Sequence, residues 1–264
     1  METIYNNINR FITARGIEWS NRKSFIIGFS ETVIYSGENR FIDIGYINPM
    51  ASHLEIELNN RGNTVGDSLS NAVWQTHLDY LYKKRIRISL NLLIDEFVFD
   101  RDIESKKQHG LAYSFRFVYN PFIMEKDIFT LFTSIMHVGS PTFRHYKGSN
   151  NFVAGGQPLG WINGSDSRDL SIGINYLKSE KILMSISTGY FQAGDESVIN
   201  RPYDSYVNYN KSKFPSGSAH DSIYFDSFFR YFINSYSSVT LGLNYSFENF
   251  NYDTMVELDI YYPF

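Results

Sequence analysis

The chain of 264 residues contains no cysteine. That excludes a disulfide framework and any thiolate metal site. It has no run of 18 or more apolar residues and its mean hydropathy is below zero, so no transmembrane helix is expected. There is no excess of positive charge, the formal net charge being -4, which removes the general electrostatic case for nucleic acid. The six histidines stand apart at 53, 77, 109, 137, 145 and 220, with no close ligand spacing such as His-Glu-x-x-His, and imply neither metal nor cofactor. "GENRFIDIG" lacks the strand–helix context and the Gly-Lys pair of a phosphate loop. The opening stretch METIYNNINRF has no basic region followed by an apolar one. For an exported protein, the expectation is therefore a mature or truncated piece.

What the chain does have is aromatic residues, 20 Tyr and 22 Phe, 17% with tryptophan. It also has clean alternation. In the final segment Val256, Leu258, Ile260, Tyr262 and Phe264 share one parity, while Glu257 and Asp259 have the other. A period of two marks a β-strand with one oily and one wet face. The pattern recurs in Ile86, Ile88, Leu90, Leu92 and Ile94; in Leu170, Ile172, Ile174 and Tyr176; and in Val239, Leu241, Leu243, Tyr245 and Phe247. Their neighbours of opposite parity are small or polar, as a wet lumen requires. One segment is less regular: Glu31 shares a face with Phe25, Ile27, Phe29 and Val33. It predicts a bulge or an inward turn there.

Counting alternation and turn signals gives twelve strands, at 10–19, 23–35, 39–47, 70–82, 85–98, 110–120, 127–138, 168–177, 181–193, 221–233, 237–248 and 253–264. Most are about ten residues or longer, the length a tilted strand needs to cross a bilayer. With Phe264 placed at the periplasmic side, the links at 36–38, 83–84, 120–126, 178–180 and 234–236 fall inside, and all are short. The links at 20–22, 48–69, 99–109, 139–167, 194–220 and 249–252 fall outside, and every long one is among them. Outer-membrane barrels sort their loops in this way, and a soluble β-sandwich, the competing fold, has no reason to. The fold class expected is an all-β, transmembrane, antiparallel up-and-down β-barrel, one domain over 1–264. Its strands either close a small barrel or form the last part of a larger one. An even count puts both ends of the chain on the periplasmic side. Trp19, Tyr35, Tyr46, Tyr82, Tyr119, Tyr190 and Tyr262, near strand ends, suit interface girdles.

Two stretches, GFSETVIYSGENRFIDIGYINP (Gly28–Pro49) and GQPLGWINGSDSRDLSIGINYL (Gly156–Leu177), carry a Ser-Glu-x-x-x-Tyr-x-Gly turn, a Tyr-x-Asn-Pro strand exit and a Pro-Leu-Gly-x-x-x-Gly-x-Asp loop. With NLLIDEFVFD (Asn91–Asp100) they resemble the capsule assembly protein Wzi family of bacterial outer-membrane β-barrels. The resemblance implies a surface-exposed, non-catalytic protein of the Gram-negative outer membrane that holds capsular or related polysaccharide. It also implies larger barrels of about eighteen strands, with a signal and an N-terminal helical part that this sequence does not show.

Candidate binding residues lie on the long links. Ser140–Asp166 carries Arg144, His145, Tyr146, Lys147, Trp161 and Asp166 among Gly and Asn. Flat rings suit the C–H faces of sugars, planar polar groups suit hydroxyl pairs, and cations suit uronic acids or phosphate. A loop that merely plugs its own lumen would hold the same residues, its Gly and Asn serving turns. Gly194–Asp221 carries Tyr203, Tyr206 and Tyr209 at a spacing of three, with Arg201, Lys211 and Lys213, which suits repeated weak contacts with a polymer or a ring-packed loop. The lumen charges expected are Arg85, Arg87, Asp95, Arg116, Asp226, Arg230, Glu257 and Asp259, either paired across strands or selecting ions. His220 and Ser222 form a His-x-Ser pair such as a phospholipase-like barrel uses, but Ile223 follows the serine where that chemistry has Asn. Two further functions stay open, a porin-like channel and a soluble or assembly-partner sandwich. The partners expected are surface polysaccharide, outer-membrane lipid and the barrel-assembly machinery through the Phe264 strand.

Overall fold

In the computed structural model, residues 8–58, 70–96, 108–123, 126–204, 213–234, 237–248 and 251–261 are described. Eleven long strands form one antiparallel sheet in chain order. They are β1 (Ile8–Ser20), β2 (Phe25–Glu38), β3 (Ser70–Tyr82), β4 (Ile86–Glu96), β5 (Gly110–Ile123), β6 (Asp127–Val138), β9 (Ser167–Lys178), β10 (Ile182–Ala193), β11 (His220–Phe232), β12 (Ser238–Glu248) and β13 (Asn251–Tyr261). A small hairpin, β7 (Val153–Ala154) with β8 (Gln157–Pro158), sits in the β6–β9 link. Two short helices, α1 (Ile44–Ile47) and α2 (His53–Leu58), sit in the β2–β3 link.

Each long strand pairs with its sequence neighbours, an up-and-down order with no crossover. The register sets the two faces. Cross-strand rows such as Tyr190–Leu170 and Tyr190–Ile223 run across one side, and Ser187–Gly173 and Ser187–Asp226 across the other. On the first side the apolar side chains lie open, with Ile172 62% and Leu241 51% exposed. Among the described residues no second layer covers them along most of their length. A water-soluble monomer rarely shows a continuous apolar surface of this extent, and the sandwich is excluded because its two layers would share that surface as a core. The architecture is that of a β-barrel wall.

About twelve strands were expected, and the sheet has eleven among the described residues. Segment 39–47 is not a strand. Asn39 takes a left-handed conformation (φ 52) and Asp43 caps α1, its carboxylate accepting from the Gly45 amide at 2.9 Å. A side chain that satisfies helix N–H groups outcompetes the ladder at this point. Ser52 does the same for α2, its hydroxyl accepting from the Glu55 amide at 3.1 Å. Losing one strand reverses the polarity of β1 and β2, and residues 36–38, expected as a periplasmic link, end β2 at the long-link side. The 21–24 turn, expected outside, now lies with the other short links at 83–85, 124–126, 179–181 and 233–237. All the long links, 39–69, 97–109, 139–166 and 194–219, leave the opposite end. Among the described residues the count is odd, so β1 starts at the long-link end and β13 finishes at the short-link end, where an even count was expected to start and finish on one side.

The short links are tight. Lys83 and Lys84 (φ 48 and 57) and Ser179 and Glu180 (φ 51 and 59) make two-residue hairpin turns with both central residues left-handed, the geometry that matches strand twist. Trp19, Phe25, Tyr80 and Tyr82 form an aromatic row at this end, with ring centroids 6.0 to 6.3 Å apart. Of the expected girdle, Trp19 and Tyr82 belong to this row. Tyr35 and Tyr46 are instead buried, stacked 4.7 Å apart, and Tyr262 lies outside the described residues.

The bulge expected near Glu31 is absent. β2 pairs with β1 and β3 in unbroken register, and the bulges fall between Ile94 and Glu96 and between Tyr119 and Phe122. Glu31 keeps its place on the oily side, opposite Arg15 and Trp74, and is covered by the β2–β3 link.

Candidate functional site

The β6–β9 link folds back over the inward side of the sheet at its long-link end. Phe143 and Phe152, 5.8 Å apart, pack on Ile34, Val73, Ala112 and Val138, one residue from each of four inward strand rows. Polar bonds pin the same link to β1–β4. Ser36 donates its hydroxyl to the Asn150 side-chain oxygen and lies 2.9 Å from the Ser149 hydroxyl, the Asn71 side-chain amide donates to the Asn150 carbonyl, and Arg10 donates to the carbonyls of Asn151 (2.8 Å) and Val153 (3.1 Å). The Asp95 carboxylate accepts from the Phe143 amide. The β7–β8 turn needs its glycines, Gly155 and Gly156 both having positive φ (57 and 78).

Asp166, fully buried, ties this link to the next one. Its carboxylate accepts from the Ser140 hydroxyl (2.6 Å), from the amide (3.0 Å) and hydroxyl of Ser216, and from the Glu196 amide (3.3 Å). Arg144, 2% exposed, donates to the carbonyls of Glu196 (2.8 Å), Arg201 (3.0 Å) and Asp204 (2.8 Å). Asn151 adds bonds to the carbonyls of Pro202 and Asp204. Gly148 lies so close to the Tyr203 carbonyl that a Cβ would stand 1.3 Å from its oxygen. The two long links thus form one plug. Arg144 and Asp166, read from sequence as candidate ligand contacts, spend these polar atoms on the plug itself.

The other candidates fall in three places. At the outer surface of the plug, the His145 and Tyr146 rings meet at 4.3 Å and Tyr146 is 46% exposed, beside half-buried Lys147 and Tyr203. Arg201 is at the surface but ion-paired, with Glu196 at 2.8 Å and Asp204 at 2.9 Å. The Asp204 hydrogen bond and then the Glu196 charge raise its already high pKa. Lys213 is exposed; Tyr206, Tyr209 and Lys211 lie outside the described residues. Beneath the plug, Trp161 lines an inward cavity of about 290 Å³ with Gln75, Asn91, Leu93, Ser114, Met136 and Phe143. A polar ladder crosses its wall: Gln75 donates to Asn91 at 3.3 Å, and Asn91 donates to Ser114 at 2.9 Å. The Trp161 indole nitrogen is buried and has no hydrogen-bond partner among the described residues. An apolar ring beside amides and a hydroxyl matches the mixed surface of a sugar.

The lumen charges are partly paired. Arg87 donates to Asp79 at 2.8 and 3.1 Å, and Ser89 donates to the same carboxylate at 2.7 Å. Arg116 lies over the Phe132 ring at 5.3 Å. Asp226 and Arg230 line a second inward cavity of about 240 Å³, where Arg230 donates to Thr240 at 2.7 Å. Asp95 anchors the plug, and Arg85 lies in the β3–β4 turn. Register puts Glu257 beside Gly242 and Asp259 beside Thr240. His220 and Ser222 stand on the inward side by register, with His220 Nε2 3.6 Å from Asp195. Sequence reasoning missed Gln75, Asn91 and Ser114. They are alternate residues of ordinary strands, and only the register brings them together under Trp161. It also missed Asp79, the partner of Arg87.

The fold and its inward plug define an outer-membrane type of β-barrel. Among solved structures, the chain has the fold of Wzi, an outer membrane protein involved in group 1 capsule assembly in Escherichia coli and a carbohydrate-binding β-barrel. The TM-score is 0.67 at 14% identity, over 99% of this chain and 54% of that one, so the chain spans about half the length of Wzi. The CymD monoaromatic hydrocarbon channel is a more distant match, with a TM-score of 0.39 at 8% identity, over 93% of this chain and 70% of that one. No family model and no curated protein matches.

Proposed function

We propose that this chain is all or part of a bacterial outer-membrane barrel that holds capsular or related surface polysaccharide without performing chemistry on it. The observation that carries the reading is the cavity beneath the plug, where the Trp161 side chain stands beside the Gln75–Asn91–Ser114 ladder. A ring face beside side-chain amides and a hydroxyl suits the mixed apolar and polar surface of a sugar. The surface ring pair His145–Tyr146, with Lys147 beside it, offers a second contact for an anionic polymer passing over the plug. The exposed apolar side of the sheet supports a place in lipid, and the likeness to a carbohydrate-binding barrel supports a glycan ligand. The outer membrane lipid and the barrel-assembly machinery are the partners this placement requires.

The test is retention of a uronic-acid-containing capsular polysaccharide by the detergent-purified protein. Trp161→Ala and Tyr146→Ala should each weaken retention while leaving heat-modifiable gel mobility intact. Equal retention by the double variant would refute the reading. A channel would also use the charged inward rows around Arg87, Asp226 and Arg230; steady conductance in a planar bilayer would favour it.

A further inference from the structure

Polar groups on the outward side at the long-link end, Arg168, Gln192 and Asp221, sit at strand ends, but β1–β3 carry a charge pair in mid-strand. Arg15 and Glu31 face each other there, within an apolar row. Glu31 lies six residues above Phe25 of the aromatic row. At a rise of about 3.3 Å per residue and a tilt of about 40° that is about 15 Å of height, inside an apolar band about 25 Å tall. Charges at that depth are expensive unless they are paired and covered.

They are both. Glu31 accepts from Arg15 Nε (2.7 Å), from His53 Nδ1 (2.8 Å) and its backbone amide (3.2 Å), and from Trp74 Nε1 (2.8 Å). Arg15 also donates to the carbonyl of Asn48 at 2.8 Å. His53 and Asn48 belong to the β2–β3 link, so the described part of that link, residues 39–58, closes over the ion cluster like a strap. Above the cluster, Tyr46 stacks on Tyr35 and Ile56 packs beside Val33 and Ala72. The other side of the strap is apolar and bare: Ile44 is 80% and Met50 89% exposed, and Phe41, Ile42 and Ile47 are open as well. Below it, a cleft of about 780 Å³ opens between Ile47, Pro49 and Met50 on the strap and Ile17 and Phe29 on the strands. The apolar surface of the strap therefore continues into the oily side of the wall.

We propose that residues 39–58 are seated in the acyl region at the outer edge of the bilayer. The strap seals the Arg15–Glu31–His53 cluster away from lipid, and its own Phe41, Ile42, Ile44, Ile47 and Met50 replace the apolar surface that the cluster removes. The occupant of this face is lipid chain, because the face continues a lipid-facing band and the cluster it covers lies at hydrocarbon depth. The inference rests on the bilayer-spanning reading of the sheet.

The cysteine-free sequence allows single-site spin labels without background. Ile44→Cys and Met50→Cys would be labelled in the protein reconstituted into phosphatidylcholine vesicles. Ile172→Cys marks the wall and Tyr146→Cys the plug surface. Collision with oxygen, relative to a water-soluble nickel complex, should be higher at Ile44 and Met50 than at Tyr146 and close to that at Ile172, as expected of an amphipathic segment with its apolar face among acyl chains. Nickel access equal to that at Tyr146 would overturn the proposal. So would low access to both reagents with spin–spin broadening, which would show a second copy on the face. If Ile172 itself is nickel-accessible, the bilayer reading fails, and the strap proposal with it. Gel mobility checks that each labelled protein is folded, and Phe41→Cys replaces a variant that is not.

Discussion

Arg144→Ala separates a structural from a ligand-binding role for the plug. The guanidinium holds three carbonyls of the 196–204 stretch from a site that is almost wholly buried. A hydrogen bond from a charged donor contributes roughly 1.5–3 kcal/mol. The three are not additive, and Asn151 keeps one bond to the Asp204 carbonyl, so we expect a loss of about 3 kcal/mol confined to the β10–β11 link. That raises its open population by about a hundredfold. The assay is native-state trypsin digestion at Lys211 and Lys213, whose rate follows the open population when reclosing is fast. Cleavage should accelerate about a hundredfold, with gel mobility of the barrel unchanged. Arg144→Lys should fall between, because a point charge cannot span three carbonyls as the planar fork does. A cleavage rate equal to that of the unsubstituted protein would refute the assignment of Arg144 to the plug, and so would loss of the barrel itself.

Asp166→Ala removes the acceptor of two backbone amides and two hydroxyls in a fully buried site; both long links should then become protease-sensitive, and Asp166→Asn should be milder. Gly148→Ala forces the backbone away from Tyr203 and should weaken polymer retention through His145 and Tyr146 without changing barrel mobility. Ile172→Lys should cost about 2–4 kcal/mol in unfolding from lipid if this side faces hydrocarbon; a change within about 0.5 kcal/mol, the norm for a water-exposed site, would remove the membrane reading. In planar bilayers the intact plug should hold conductance low, and Arg144→Ala should raise it; steady flux through the unsubstituted protein would favour a channel.

Alternation by itself determined the strands other than 39–47, their two faces and the placing of the long links at one end, because a period of two is a local property and each residue carries its own parity. It placed Ile172, Leu241 and Leu243 on one face and Gly173, Gly242 and Asn244 on the other, as the register has them. It also placed Trp161 in a long link. Only the tertiary structure decided what covers what. Segment 39–47 alternates as well as a strand, but the caps at Asp43 and Ser52 and the ion cluster that needs a cover fold it into a strap. Glu31 looked like an error in the pattern because His53, one of its partners, lies 22 residues away. Arg144 looked like a ligand contact because its carbonyl partners lie 52 to 60 residues away. Periodicity reports the face on which a side chain emerges. Whether water, lipid or another part of the chain meets it there depends on contacts between segments far apart in sequence, which leave no local signal.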